Sequence, residues 1–217
     1  MEDLFDGPSI VFEFYGFQIT ETMLNIWLVM AVLIVLALLL RRNLELYPGK
    51  VQNVVEMVVE AFEGLVTSTM GDSRKDFMPY MAALFLFIGL SNMMGLLGLM
   101  PPTADVNTTI GLALLTFILI HYSGFRNKGF GHIRGLAQPV FLFLPINIIS
   151  ELAKPVSLAF RLFGNILGGT IIMAMITGAI ALFVPVVPSL YFDVFSGLLQ
   201  SFIFVMLTMV FITLAIE

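Results

Sequence analysis

Residues 155–184 read PVSLAFRLFGNILGGTIIMAMITGAIALFV, an apolar stretch in which Arg161 is the only charged residue. As a helix it would be roughly 45 Å long, whereas the apolar part of a bilayer is about 30 Å thick. Residues 190–217 form a second apolar stretch that is nearly as long. Helices of this length have to tilt strongly in a bilayer, so the two stretches predict a long tilted hairpin.

The composition of the whole chain agrees with a membrane location. Of its 217 residues, 59% are hydrophobic and 12% are charged, and this charged share is about half that of a typical globular domain. So much apolar surface excludes a soluble enzyme and a disordered tail, and only ten Lys and Arg residues argue against a nucleic-acid binder. The absence of cysteine excludes disulfides and thiolate chemistry, and we expect no metal site.

The apolar runs predict an all-α polytopic membrane protein with about five membrane-embedded helices in a single membrane domain, residues 1–217. Pro101 and Pro102 interrupt one of these runs and divide it into two helices. The predicted segments are a first span, a helical hairpin and the two parts of the tilted hairpin: residues 23–40, 79–122, 139–184 and 190–217.

Residues 51–69 have a different pattern, in which apolar and polar residues take opposite faces of a helix. The pattern predicts an amphipathic helix that lies along the cytoplasmic membrane surface. An amphipathic helix packed on a partner protein is the alternative. The apolar positions are Val51, Val54, Val55, Val58, Phe62, Leu65 and Val66.

The basic residues indicate which side of the membrane each loop faces. Cytoplasmic loops are enriched in Lys and Arg, and eight of the ten basic residues fall in loops that the predicted spans place on one side. The N-terminal segment and the loop with Asp105 are acidic, which predicts an N-terminus outside the cell and a cytoplasmic C-terminus. The eight basic residues are Arg41, Arg42, Lys50, Arg74, Lys75, Arg126, Lys128 and Arg134.

The other two cations, Lys154 and Arg161, lie within the apolar C-terminal half. A cation inside a span costs at least a few kcal/mol, which makes it a functional candidate. Lys154 precedes Pro155 near the expected cytoplasmic helix end, where it could snorkel to the interface. Arg161 lies deeper and keeps its proton under almost all conditions, so it is a fixed positive charge that attracts carboxylates and opposes the passage of cations. A structural ion pair with an acid elsewhere in the chain is the alternative role.

Polar residues accompany this arginine. Asp193, Ser196 and Gln200 are spaced at i, i+3 and i+7 and so share one face of the last helix. Each polar residue alone fits a helix–helix hydrogen bond, but together they favour two aqueous vestibules kept apart by the fixed charge. Further candidates for the lining of these vestibules are Asn92, Asp105, Asn107, Asn147 and Glu151.

Three stretches resemble the a subunit of the membrane sector (Fo) of F-type ATP synthases. They are residues 154–165, KPVSLAFRLFGN; residues 102–109, PTADVNTT; and residues 199–208, LQSFIFVMLT. The resemblance extends in order and spacing from the first helix to the C-terminus. It implies a non-catalytic stator subunit without a cofactor. The absence of a targeting sequence and the positive-inside pattern favour a bacterial plasma membrane, with an organelle-encoded copy as the alternative. The implied partners are a rotating ring of c subunits with embedded carboxylates, the b-subunit peripheral stalk and the whole ATP synthase.

The resemblance also implies roles for individual residues. Arg161 matches the essential arginine, Gln200 matches its polar partner, and Asn165 matches a half-channel residue. Thr170 occupies a position that is often acidic or a histidine in proton-driven members, whereas Asp193 keeps the ionisable group expected on the last helix. The chain is therefore expected to carry either H⁺ or Na⁺ through two half-channels.

Two other classes of membrane protein are alternatives, an ion channel and a secondary transporter with an intramembrane arginine gate. A voltage sensor would need arginines repeated every third residue, and only one deep arginine is present. A secondary transporter usually contains inverted repeats, and the sequence shows none. The stator interpretation is therefore favoured.

Overall fold

The computed structural model is helical along most of the chain. Within the part that it describes, five helices are long and apolar enough to cross a membrane, which confirms the predicted all-α polytopic architecture. The structure describes residues 10–14, 17–42, 49–129, 131, 141–179 and 186–217.

The helices follow one another in the order that the apolar runs predict. Their bounds are α1 Glu21–Arg41, α2 Lys50–Met70, α3 Met78–Met93, α4 Val106–Lys128, α5 Leu144–Ala179, α6 Val186–Ser189 and α7 Gly197–Ile216. A π-helical segment, Leu190–Ser196, joins α6 to α7. Short 3₁₀ turns occur at Asp72–Phe77, Met94–Leu97, Pro102–Ala104 and Phe141–Phe143.

A small antiparallel hairpin precedes α1, and the pattern of apolar runs did not predict it. Its strands are β1 Ile10–Phe14 and β2 Phe17–Thr20, with Glu13 opposite Gln18. Both strands contain aromatic and β-branched residues, which favour extended structure. The hairpin leaves the helical character of the membrane domain unchanged.

The turn between α3 and α4 differs from a simple interruption at the two prolines. The helix α3 ends at Met93, before the apolar run does, and Gly98 then takes a left-handed conformation with φ of 72°. Glycine adopts that conformation without the steric cost that a side chain would bring. Beyond the prolines, the Asp105 carboxylate accepts a hydrogen bond of 2.9 Å from the backbone N–H of Asn107 and so caps α4.

The core lies where α7 packs against α3 and α4, while α5 packs on α4. Its largest buried apolar side chains include Met81, Ile88, Phe204 and Met209. Each apolar side chain of this size removed from water contributes roughly 1.5–3 kcal/mol to folding, although the lipid reference of a membrane helix reduces that gain. Close packing of α3, α4 and α7 therefore fixes the frame on which α5 is held.

The buried side chains of the amphipathic helix α2 lie in its C-terminal half, which packs on this frame. Val66 and Met70 are buried, and the ring of Phe62 lies 5.3 Å from that of Phe85, measured between centroids. In the N-terminal half, Val51 and Val54 are 69% and 60% exposed. This half presents an apolar surface to lipid or to a partner, and its position on the membrane surface stays a prediction.

Contacts between α5 and the last span, Leu190–Ile216, show that the two run antiparallel, because a later position in α5 contacts an earlier position in that span. Asn165 Nδ2 donates a 2.7 Å hydrogen bond to Gln200 Oε1. One turn further along α5, Phe192 lies 3.4 Å from the position that a Cβ on Gly169 would take. The two elements therefore form an antiparallel hairpin, and its tilt in a bilayer stays a prediction.

A buried polar cluster joins α3, the Pro102–Ala104 turn and α7. Asn92 Nδ2 donates to the Gly197 carbonyl at 2.8 Å, while Asn92 Oδ1 accepts from the Thr103 hydroxyl at 2.6 Å. The Ser201 hydroxyl lies 3.4 Å from Asn92 Nδ2. Because bilayer lipid cannot satisfy such groups, mutual hydrogen bonding makes this crossing specific.

The close approach at Gly197 provides a test of this packing. A Cβ at that position would meet Asn92 Cβ at 2.9 Å, so Gly197→Ala has to push α3 and α7 apart at a cost of about 1–3 kcal/mol. We expect a lower melting temperature in detergent, followed by helical circular dichroism. Gly111→Ala is the control because nothing lies within 4 Å of its Cβ position. An equal melting temperature for the two variants would contradict the assigned packing.

Candidate functional site

Arg161 lies on a face of α5 that the rest of the described chain does not cover. Ser157, Phe160, Arg161 and Gly164 are all exposed and recur at helical spacing; they are called the Arg161 face below. No described carboxylate lies within 4 Å of the Arg161 guanidinium. The alternative role of a structural ion pair therefore finds no partner in the described part of the chain.

The other cation of this helix has its own counter-ion. Lys154 Nζ donates to Glu151 Oε1 at 2.6 Å, and both side chains are about three-quarters covered. The ammonium also lies 5.4 Å from the centroid of the Phe211 ring, a distance at which a cation–π attraction operates. Lys154 is thus neutralised within the chain, whereas Arg161 is not paired with any described residue.

An amide pair lies beside the arginine. Asn165 is one helical turn from Arg161 and donates to Gln200, whose side chain is buried with 2% exposure. The other end of the Gln200 amide, Nε2, has no acceptor among the described residues. A buried donor without an acceptor costs about 1–3 kcal/mol, and because the chain itself covers this nitrogen, no group outside the chain reaches it in this arrangement.

Thr170 and Asp193, the two positions that the family resemblance pairs, line one cavity. This acidic-end cavity has a volume of about 800 Å³ and lies between the start of α1, the turn after α3, α5 and the π-helical segment. Glu21 and Ser189 also line it, and sequence reasoning did not assign either to the site. A cavity wall built from four separate chain segments cannot be recognised from local spacing.

The Asp193 carboxylate is held against a glycine. Asp193 Oδ1 lies 2.8 Å from the position that a Cβ on Gly95 would occupy, so no larger residue at that position leaves the carboxylate in place. Asp193 lies in the π-helical segment, and single π-helical turns in helices frequently mark functional sites. Across the cavity, the Thr170 hydroxyl donates to the Leu167 carbonyl at 2.8 Å and so presents its lone pairs as an acceptor.

The remaining predicted residues do not gather into one site. Asn92 belongs to the buried cluster at Gly197, and Asp105 caps α4 while accepting from the Thr22 hydroxyl at 3.1 Å. Asn107 is exposed beside that cap, and Ser196 is half-buried at the end of the π-helical segment. Asn147 is half-buried near the start of α5, one turn before Glu151. The contribution of these residues to half-channels stays a prediction.

Water accessibility of the acidic-end cavity can be tested because the chain lacks cysteine. We expect Asp193→Cys and Thr170→Cys to react with a small, water-soluble methanethiosulfonate reagent in reconstituted vesicles, because both positions line the cavity. Ser201→Cys is the control, since that side chain is 0% exposed. Labelling is read by mass spectrometry of the intact chain. Failure of both cavity positions to react, or equal reaction at Ser201→Cys, would contradict the cavity assignment.

Comparison with known proteins places this geometry in a family. The family model for the ATP synthase A chain matches residues 23–213. The sodium ion specific ATP synthase subunit a of Propionigenium modestum is 39% identical over 91% of this chain and 74% of its own. ATP synthase subunit a 1 of Syntrophotalea carbinolica is 39% identical over 100% of this chain and 94% of its own. ATP synthase subunit a 3 of Pelobacter propionicus is 36% identical over 88% of this chain and 85% of its own.

The family match includes most of every long helix, the whole Arg161 face and, apart from Glu21, the named residues of the acidic-end cavity. These relatives match along most of their own length, so the similarity is not confined to one motif. The chain therefore belongs to the ATP synthase A chain family and is a stator subunit a of the Fo membrane sector.

Proposed function

We propose that this subunit forms two aqueous half-channels that carry H⁺ or Na⁺ to and from the carboxylates of a c-subunit ring, with Arg161 between them. The observation that carries the proposal is the exposure of Arg161 on an uncovered face without a counter-ion among the described residues. Coupling of this ion flow to ring rotation then drives ATP synthesis.

The Arg161 face needs an acidic partner in the membrane. Phe160, next to the arginine, is 61% exposed in the chain alone, so lipid or another protein has to cover this surface. A guanidinium turned toward lipid costs at least a few kcal/mol. A ring of helices that bears carboxylates would cover the apolar residues and neutralise the charge. The glycine at position 164, with nothing within 4 Å of its Cβ position, allows such helices to approach closely.

A fixed guanidinium performs two tasks in this arrangement. Opposite charges 4 Å apart attract by about 4 kcal/mol at an effective dielectric constant of 20, so an arriving carboxylate is favoured in its ionised form and releases its cation. The same charge repels a cation that would pass directly between the half-channels. Because arginine does not lose its proton, neither task depends on pH. The Asn165–Gln200 hydrogen bond keeps α5 and α7 together beside this site.

The spacing along α5 supports two half-channels that end near the arginine. Thr170, in the acidic-end cavity, is nine residues beyond Arg161, about 14 Å along a helix. Glu151 is ten residues before it, about 15 Å in the other direction. Arg161 is thus about equally far along α5 from both positions, and tilting of the helix makes the depth of each half-channel smaller than these lengths.

The orientation and partners follow from the same proposal. Arg74 and Arg126 line a cavity at the end of α4 that is opposite the acidic-end cavity, and the positive-inside rule assigns this basic end to the cytoplasm. The N-terminus is then outside and the C-terminus inside a plasma membrane. The proposed partners are the c-subunit ring and the b-subunit peripheral stalk of a proton- or sodium-translocating ATP synthase.

Replacement of the arginine tests the proposal. We expect Arg161→Ala to reduce ion-driven ATP synthesis by the reconstituted complex to background. Without the fixed positive charge, the ring carboxylate is no longer favoured in its ionised form and does not release its cation. The yield of assembled complex should stay near wild type, since Arg161 makes no ion pair with a described residue. Lys154→Gln is the matched control on the same helix, and it should retain most of the synthesis. Persisting synthesis in Arg161→Ala would refute the proposal.

The coupling ion is tested by titrating ATP hydrolysis with sodium at fixed pH and by measuring ion uptake into liposomes. Sodium stimulation with uncoupler-resistant uptake would assign sodium, whereas sodium-independent turnover with uncoupler-sensitive acidification would assign protons. Asp193→Asn adds a second readout. For sodium we expect a weaker ion affinity, because an amide oxygen still ligates it, and for protons we expect near-complete loss, because an amide does not titrate.

A further inference from the structure

A second cavity lies at the basic end of the bundle, and none of its lining residues belongs to the Arg161 face. It has a volume of about 520 Å³ and forms where the Asp72–Phe77 turn meets the ends of α4 and α7. Arg74 and Arg126 both line it, together with the hydroxyl-bearing Tyr122. We propose that this cavity binds a membrane phospholipid, with the lipid phosphate between Arg74 and Arg126.

The two arginines are poorly neutralised by the chain itself. Arg74 is largely covered, with 18% of its side chain exposed, and its closest described counter-ion is Glu217 at 4.0 Å. Arg126 has no ion-pair partner among the described residues. By contrast, the neighbouring Lys75 pairs with Glu63 at 3.0 Å. Two guanidinium groups in one cavity repel each other, and a bridging phosphate provides the acceptor oxygens that both require.

The depth of the cavity matches that of lipid headgroups. Arg126 follows the first residue of α4, Val106, by twenty residues, which is about 30 Å along a helix. This length equals the usual thickness of the hydrocarbon layer. With the start of α4 at one boundary, the guanidinium is therefore at the level of phosphates on the other side. Basic pockets between membrane helices on the cytoplasmic side recognise headgroups in this way.

The remaining lining favours a lipid over free phosphate. Phe77 and Leu119 provide an apolar wall, which suits the glycerol and the first acyl carbons rather than a hydrated ion. Asp76 lines the same cavity and would repel a phosphate dianion, but it would attract the ammonium group of an ethanolamine headgroup. The combination of two guanidinium groups, one carboxylate and an apolar wall fits phosphatidylethanolamine.

The test uses the whole purified complex in liposomes that contain a photoactivatable phosphatidylethanolamine. After illumination and proteolysis, mass spectrometry should locate the label in residues 72–77 or 119–127. We expect Arg74→Gln and Arg126→Gln each to reduce this labelling about tenfold, as the loss of a charge-assisted contact would. Lys75→Gln and Lys128→Gln are matched controls, since neither residue lines the cavity, and they should label as wild type does.

Competition distinguishes the two sources of phosphate. Unlabelled phosphatidylethanolamine should displace the photoactivatable lipid, whereas inorganic phosphate should not. Displacement by inorganic phosphate, or undiminished labelling in Arg126→Gln, would overturn the proposal. Arg126 is exposed, so its replacement leaves the packing intact and the test stands even if Arg74→Gln prevents assembly. The outcome does not depend on the half-channels, because neither arginine lies on the Arg161 face.

Discussion

The positive charge of Arg161 is the constraint around which the rest of the molecule is arranged. Arginine cannot lower the cost of burial by losing its proton, and no described residue of this chain neutralises it. The neighbouring cation, Lys154, is neutralised by Glu151 on the same helix. The helix α5 therefore carries one satisfied and one unsatisfied cation. The unsatisfied one lies on the open face, and no described carboxylate lies within 4 Å of it.

A fixed charge on an open helix face needs a rigid support, and the polar residues of the bundle provide it. Asn92 donates to the Gly197 carbonyl and accepts from the Thr103 hydroxyl, which fixes α3 and the Pro102–Ala104 turn against α7. The Asn165–Gln200 hydrogen bond then attaches α5 to that frame. Such bonds contribute modestly in a membrane, about 0.6 kcal/mol on average. Their main effect is to make one register of the hairpin more favourable than its neighbours.

Sequence predicted the parts of this structure that depend on local pattern. The spans follow from apolar runs, and α2 follows from residues such as Val54 and Phe62 at helical spacing. The end of α3 at Met93 was not predictable from hydropathy, because the run continues and only the backbone at Gly98 turns away. Asn92 shows why the site residues were harder to predict than the spans: the sequence made it a candidate for the lining of a vestibule, but it belongs to the buried cluster at Gly197. Whether a buried amide faces water or another helix depends on which elements are neighbours, and spacing along one helix does not contain that information.

The acidic-end cavity shows how the same limit applies to function. Sequence comparison pairs Thr170 with Asp193, and both line this cavity, but Gly95 contributes by having no side chain. A carboxylate that fills the space beside a glycine loses rotamer freedom, so its direction in the cavity is set by the backbone of another segment. The π-helical turn at Leu190–Ser196 shifts the register of the last helix. Asp193 therefore lines an open cavity, whereas Gln200 is buried in contact with Asn165.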